Sequence, residues 1–120
     1  MKNLMFLFAL VFSLTIISCG SDDGPEVTIN APVDGNSYKQ NTSFDLDLSL
    51  TDADGLSSLT ISNTELGLNV LETFQGDIAI DYTLTIDVGN VQTDKYEIII
   101  EVTDTDGNVE DEKLEIEIVE

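Results

Sequence analysis

From Phe44 the chain alternates without a fault for eight residues, with Phe44, Leu46, Leu48 and Leu50 apolar and Asp45, Asp47, Ser49 and Thr51 polar. A period of two places one face of a strand in a core and the other in water. The same period runs through Ile78, Ile80, Tyr82, Leu84, Ile86 and Val88, then through Tyr96, Ile98, Ile100 and Val102, and again through Leu114, Ile116 and Ile118. Shorter candidates are Val27 to Ile29, Leu56 to Ile61 and Leu66 to Leu71. Turn-forming residues separate these runs: Pro32-Val33-Asp34-Gly35, Asp52-Ala53-Asp54-Gly55, Gly76-Asp77, Gly89-Asn90 and Asp106-Gly107-Asn108. About seven short strands with such punctuation predict an all-β fold, an antiparallel β-sandwich of immunoglobulin-like type.

The pattern also predicts the register of the final hairpin. For Tyr96, Ile98 and Ile100 to share a face with Leu114, Ile116 and Ile118, paired residue numbers must sum to an even value, and a slip of one would turn one strand's core residues outward. A sum of 214 gives a three-residue loop, Asp106-Gly107-Asn108, with Thr105 facing Val109 and Asn108 in the left-handed region. That register sets Glu101 opposite Lys113 and Glu97 opposite Glu117.

The N-terminus follows a different rule. Lys2 precedes an uncharged apolar run from Leu4 to Ile17. As a helix this run would span about 21 Å, short of the ~30 Å hydrocarbon core of a bilayer, which predicts a cleaved signal peptide. The run ends in Ile16-Ile17-Ser18-Cys19-Gly20, which resembles the lipobox of bacterial lipoproteins, with Ser18 as the small residue before the cysteine. That resemblance implies cleavage before Cys19 and a lipid on its sulfur. The following Gly20-Ser21-Asp22-Asp23 resembles the acidic spacer that directs one group of Gram-negative lipoproteins to the cell surface. The expected organisation is a signal peptide over 1–18, a lipidated Cys19 with an acidic linker over 19–25, and one immunoglobulin-like domain over 26–120. The expected location is the outer membrane, exposed at the cell surface.

Charge and composition narrow the function. The full chain carries a formal net charge of −20 from 24 acidic and 4 basic residues, and it has no histidine. All the carboxylates lie beyond the signal, where only Lys39, Lys95 and Lys113 oppose them. A field of this sign excludes nucleic acid as a partner and opposes self-association, so a monomeric domain is expected. With Cys19 as the sole cysteine, no disulfide within the chain is available, and stability must come from packing.

Val27 to Gly35, with its Ala31-Pro32-Val33-Asp34-Gly35 turn, is similar to the start of many bacterial immunoglobulin-like domains. Tyr96 to Asn108 resembles their penultimate strand and closing turn, with Tyr96 in the place of a tyrosine corner. The resemblance implies a fold and carries no activity.

Without histidine, arginine or a free cysteine, Ser-His and Cys-His nucleophilic systems are excluded, and the expectation is a non-enzymatic protein. Asp52-x-Asp54-Gly55 and Asp104-x-Asp106-Gly107-Asn108 are oxygen-rich loops suited to a hard cation, calcium above all. In an immunoglobulin-like sandwich these loops join strands B to C and F to G, at the same end. Asp52, Asp54, Asp104 and Asp106 are therefore the candidate metal ligands, weighed against their service as plain turn residues. No cofactor is expected other than calcium at these loops. The function expected is a surface binding, adhesion or structural module whose protein or glycan partner the residues do not name. The alternative is a glycan-binding accessory protein of an outer-membrane uptake system, with Tyr38 and Phe74 as the aromatics left on loops.

Overall fold

The computed structural model describes residues 24–120, so the expected signal peptide, Cys19 and most of the expected linker lie outside the described residues. Eight strands follow one another: β1 (Glu26–Ala31), β2 (Ser37–Lys39), β3 (Ser43–Thr51), β4 (Leu56–Asn63), β5 (Leu68–Thr73), β6 (Ala79–Asp87), β7 (Asp94–Asp104) and β8 (Val109–Val119). They form a three-stranded sheet in the order β1-β3-β6 and a five-stranded sheet in the order β2-β8-β7-β4-β5. All pairings are antiparallel except β2 with β8. The all-β, immunoglobulin-like sandwich expected from the alternation is the fold of this chain.

The core is the even-numbered face of the long strands. Leu46, Leu48 and Leu50 of β3, Ile98, Ile100 and Val102 of β7, and Ile116 of β8 are fully buried. Strand β4 breaks the alternation, because Leu56 and Leu59 are three apart and both buried. The register slips between Leu56 and Ser58, a bulge that absorbs one residue and returns Leu59 and Ile61 to the core side. Tyr96 makes the expected corner: its phenol donates to the Gln92 carbonyl at 2.6 Å. Burial raises its pKa, helped by the carboxylates of Glu65 and Asp94.

Three expectations are corrected. In the β7–β8 hairpin Tyr96 faces Ile116 and Thr103 faces Val109, so paired numbers sum to 212 and not 214. The loop is Thr105-Asp106-Gly107, closed by the Asp104 amide donating to the Asn108 carbonyl at 2.9 Å, and the positive φ of 89° belongs to Gly107. Glu101 then faces Asp111, Glu97 faces Glu115, and Lys113 reaches Glu97 only diagonally at 4.0 Å. Glycine takes the left-handed position at least cost, which decides between two registers that keep the same faces inward.

The second correction is β2. The turn over 33–36 runs onto the edge of β8: the Gly35 amide donates to the Glu115 carbonyl, and the Glu115 amide donates to Asp34 Oδ1. Ser37 to Lys39 then pair with Glu117 to Val119. Tyr38 is therefore in a strand, half-buried, and stacks on Phe44 with ring centroids 4.3 Å apart. Phe74 likewise packs against the core. Third, Ile78 lies outside β6 and is exposed, its carbonyl accepting from the Asp52 amide.

Candidate functional site

The two acidic loops do meet at one end of the sandwich. The Thr105 amide donates to the Gly55 carbonyl at 3.0 Å, and Thr105 Oγ1 donates to the Asp54 carbonyl at 3.3 Å. A third segment joins them: the Leu56 amide donates to the Asp77 carbonyl and the Gly76 amide to the Leu56 carbonyl. Gly55 has φ 115°, and a Cβ there would stand 2.6 Å from the Gly76 carbonyl oxygen, so only glycine fits where these loops cross.

Within this frame the four candidate ligands take different places. Asp52 and Asp104 continue the even-numbered core face of β3 and β7, and both are buried, at 5% and 1% exposure. Asp54 and Asp106 are exposed. Asp104 serves its own turn, with Oδ1 accepting from the Asp106 and Asn108 amides and Oδ2 accepting from Asn108 Nδ2 at 2.9 Å. Burial opposes ionisation of Asp104. The donors of the Asn108 side chain and the Asn108, Asp106 and Gly107 amides together outweigh it and hold the carboxyl below its ordinary pKa. Asp52 Oδ2 accepts from the Asp54 amide at 3.0 Å, whereas Asp52 Oδ1 is buried with no hydrogen-bond partner. Among the described residues no group of three or more acidic side chains is arranged to hold a metal ion.

Parity was the signal that separates these roles. Position 52 extends the series 44, 46, 48, 50, and position 104 extends 96, 98, 100, 102, so an aspartate there points toward the core.

The chain enters the fold at this same end. Glu26 pairs with Thr51, and Gly24 and Pro25 border a shallow polar groove with Asn108, Val109 and Glu110.

No protein-family model and no curated protein matches this chain. Solved structures share its architecture. The fibronectin(III)-like modules of Clostridium thermocellum CbhA align with a TM-score of 0.58 at 16% identity, covering 78% of this chain and 94% of that one. A PKD domain of a peptidase from a Thermoplasmatales archaeon aligns with a TM-score of 0.55 at 16% identity, over 82% and 98%. A superoxide reductase from Ignicoccus hospitalis aligns with a TM-score of 0.63 at 15% identity, over 86% of each chain. The sandwich is thus of the immunoglobulin-like and fibronectin III-like class. That the same layers also occur in a reductase underlines that the fold leaves activity open.

Proposed function

We propose that this protein is a non-enzymatic, lipid-anchored module that displays an immunoglobulin-like domain at the outer-membrane surface for binding or structural support. The observation that carries the reading is the position of Gly24–Pro25, which enters the sandwich beside the acidic loops. A tether at Cys19 then holds that end toward the membrane and leaves both sheet faces and the far loops free for a partner. Metabolic labelling with a palmitate analogue tests it. Wild type should incorporate label and be digested by protease added to intact cells, while Cys19→Ala should lose the label. A labelled protein that resists external protease would retain the anchor and remove surface display.

A calcium-assisted version is favoured by one observation, the buried and unpartnered Asp52 Oδ1, which an incoming cation would satisfy. Asp54 and Asp106 are exposed on the same two loops but are not gathered around it, and the oxygens of Asp104 already accept from its own turn, so Asp52 alone carries this version. Millimolar calcium should then raise the melting temperature of wild type and leave Asp52→Asn unchanged. An unchanged wild type discards this version. The glycan alternative draws no support from its two aromatics, since one face of Tyr38 is covered by Phe44 and Phe74 is partly buried against the core.

A further inference from the structure

The two sheets are unequal, and the mismatch leaves one flank of the sandwich incomplete. The three-stranded sheet ends at β6, while the five-stranded sheet continues to β5. Leu46, Leu48 and Leu50 of β3 are fully buried, but their register partners Leu84, Tyr82 and Ile80 on β6 are only half-buried. Leu68 and Val70 of β5 are half-buried as well and pack against the same core. Ile80, Tyr82 and Leu84 of β6 thus pack on the same core cluster as Leu68 and Val70 of β5, and burial raises the pKa of the Tyr82 phenol, with the Glu72 carboxylate adding to it.

The outer edge of β6 has no strand neighbour among the described residues. The other edges are short or interrupted. Strand β1 carries a bulge between Ile29 and Ala31 and is followed by Pro32, β2 has three residues, and β5 has six. Strand β6 runs nine residues in unbroken register with β3 and contains no proline, glycine or lysine. Its outward side chains include Asp81 and Asp87. The lysines of the described chain, Lys39, Lys95 and Lys113, all lie on other strands.

We propose that β6 accepts an extended segment of another polypeptide as a fourth strand, with apolar side chains inward over Ile80, Tyr82 and Leu84 and basic ones outward beside Asp81 and Asp87. Strand addition satisfies the free backbone groups of the edge, and alternate side chains provide the selectivity. The carboxylates oppose a second copy of this chain and favour a basic partner. The inference deepens the binding-module reading but does not depend on the lipid anchor, because its test is made on purified protein.

The probe is a nine-residue peptide in which lysine and valine alternate, added to the full-length protein in mild detergent. Amide hydrogen exchange should slow at least tenfold at alternate residues between Ala79 and Asp87, with β1 and β5 unchanged. A peptide of the same composition with its lysines and valines in separate blocks should give no such protection, nor should the alternating peptide with a central proline. Asp81→Lys together with Asp87→Lys should weaken the lysine-valine peptide at least tenfold and admit a glutamate-valine one. Equal protection by the blocked peptide, or no protection of β6, overturns the proposal. So does a stable dimer with protected β6 amides in the absence of peptide, which would assign the edge to a second copy.

Discussion

Asp52 and Asp104 are the two buried acids of the described chain, and their partners give them opposite responses to the same substitution. Asp104→Asn places an amide NH2 against Asn108 Nδ2, where an acceptor is needed. It should lower the melting temperature by roughly 5 °C, read by thermal unfolding at pH 7. Asp52→Asn keeps an oxygen for the Asp54 amide and removes a buried charge whose other oxygen has no partner. In calcium-free buffer it should leave stability unchanged or raise it. Acid separates the variants further. Because the folded-state pKa of Asp104 is depressed, its contribution is complete above the unfolded pKa and disappears as pH falls through the folded value. Protonating the other carboxylates relieves repulsion in both proteins, so the quantity to follow is the difference in melting temperature between wild type and Asp104→Asn. That difference should be constant from pH 7 to about 5 and shrink below about pH 4. A difference independent of pH would mean that the turn does not need the carboxylate charge. Gly55→Ala tests the loop crossing: a side chain at φ 115° against the Gly76 carbonyl should cost at least ~2 kcal/mol by denaturant unfolding.

Among the elements, the outer face of the β1-β3-β6 sheet shows how a chain so acidic holds neighbouring strands together. Asp45 faces Thr85, Asp47 faces Thr83, and Ser49 faces Asp81, so each carboxylate meets a hydroxyl and no two meet directly. Thr85 Oγ1 donates to Asp45 at 2.7 Å, and Ser49 Oγ donates to Asp81 at 3.2 Å. Thr85→Asp should therefore destabilise by about 1 kcal/mol at low salt, with much of the loss recovered at 0.5 M sodium chloride. These strands were legible in the sequence because one-sided burial forces a period of two, as in β3, β6, β7 and β8. Where the period fails, the reading blurred. The bulge at Ser57 and the non-alternating Leu56-Ser57-Ser58-Leu59 hid the full reach of β4, which runs on to Asn63. Strand β2 has three residues and rests on backbone pairing with β8, which leaves no alternation long enough to read. The final hairpin was right in its faces and two residues off in register, since alternation fixes parity alone and the turn chose Gly107.

For the whole molecule, the meeting of the Asp52–Gly55 and Thr105–Gly107 loops at one end was legible from strand order. The division of labour among their acids depended on neighbours that only folding supplies. The inequality of the two sheets was not legible either, because β5 and β6 look alike as isolated half-apolar strands. It takes their sheet assignment to expose the flank between them.

The direction of β1 has a mechanical consequence. Its first residue, Glu26, lies at the end where the chain enters the fold, and it runs antiparallel to β3 from Thr51 toward Asp47. Were Cys19 held in a membrane and a partner bound on β6, as proposed above, a pull between them would act along the strand axis, across hydrogen bonds that stand perpendicular to it. Under such shear the bonds between β1 and β3 share the strain together and do not open one after another as in a peeled hairpin. An anchored domain would thereby withstand drag in flowing liquid, and a single-molecule pull from the N-terminus should need more force than one that unzips β8 from its C-terminal end.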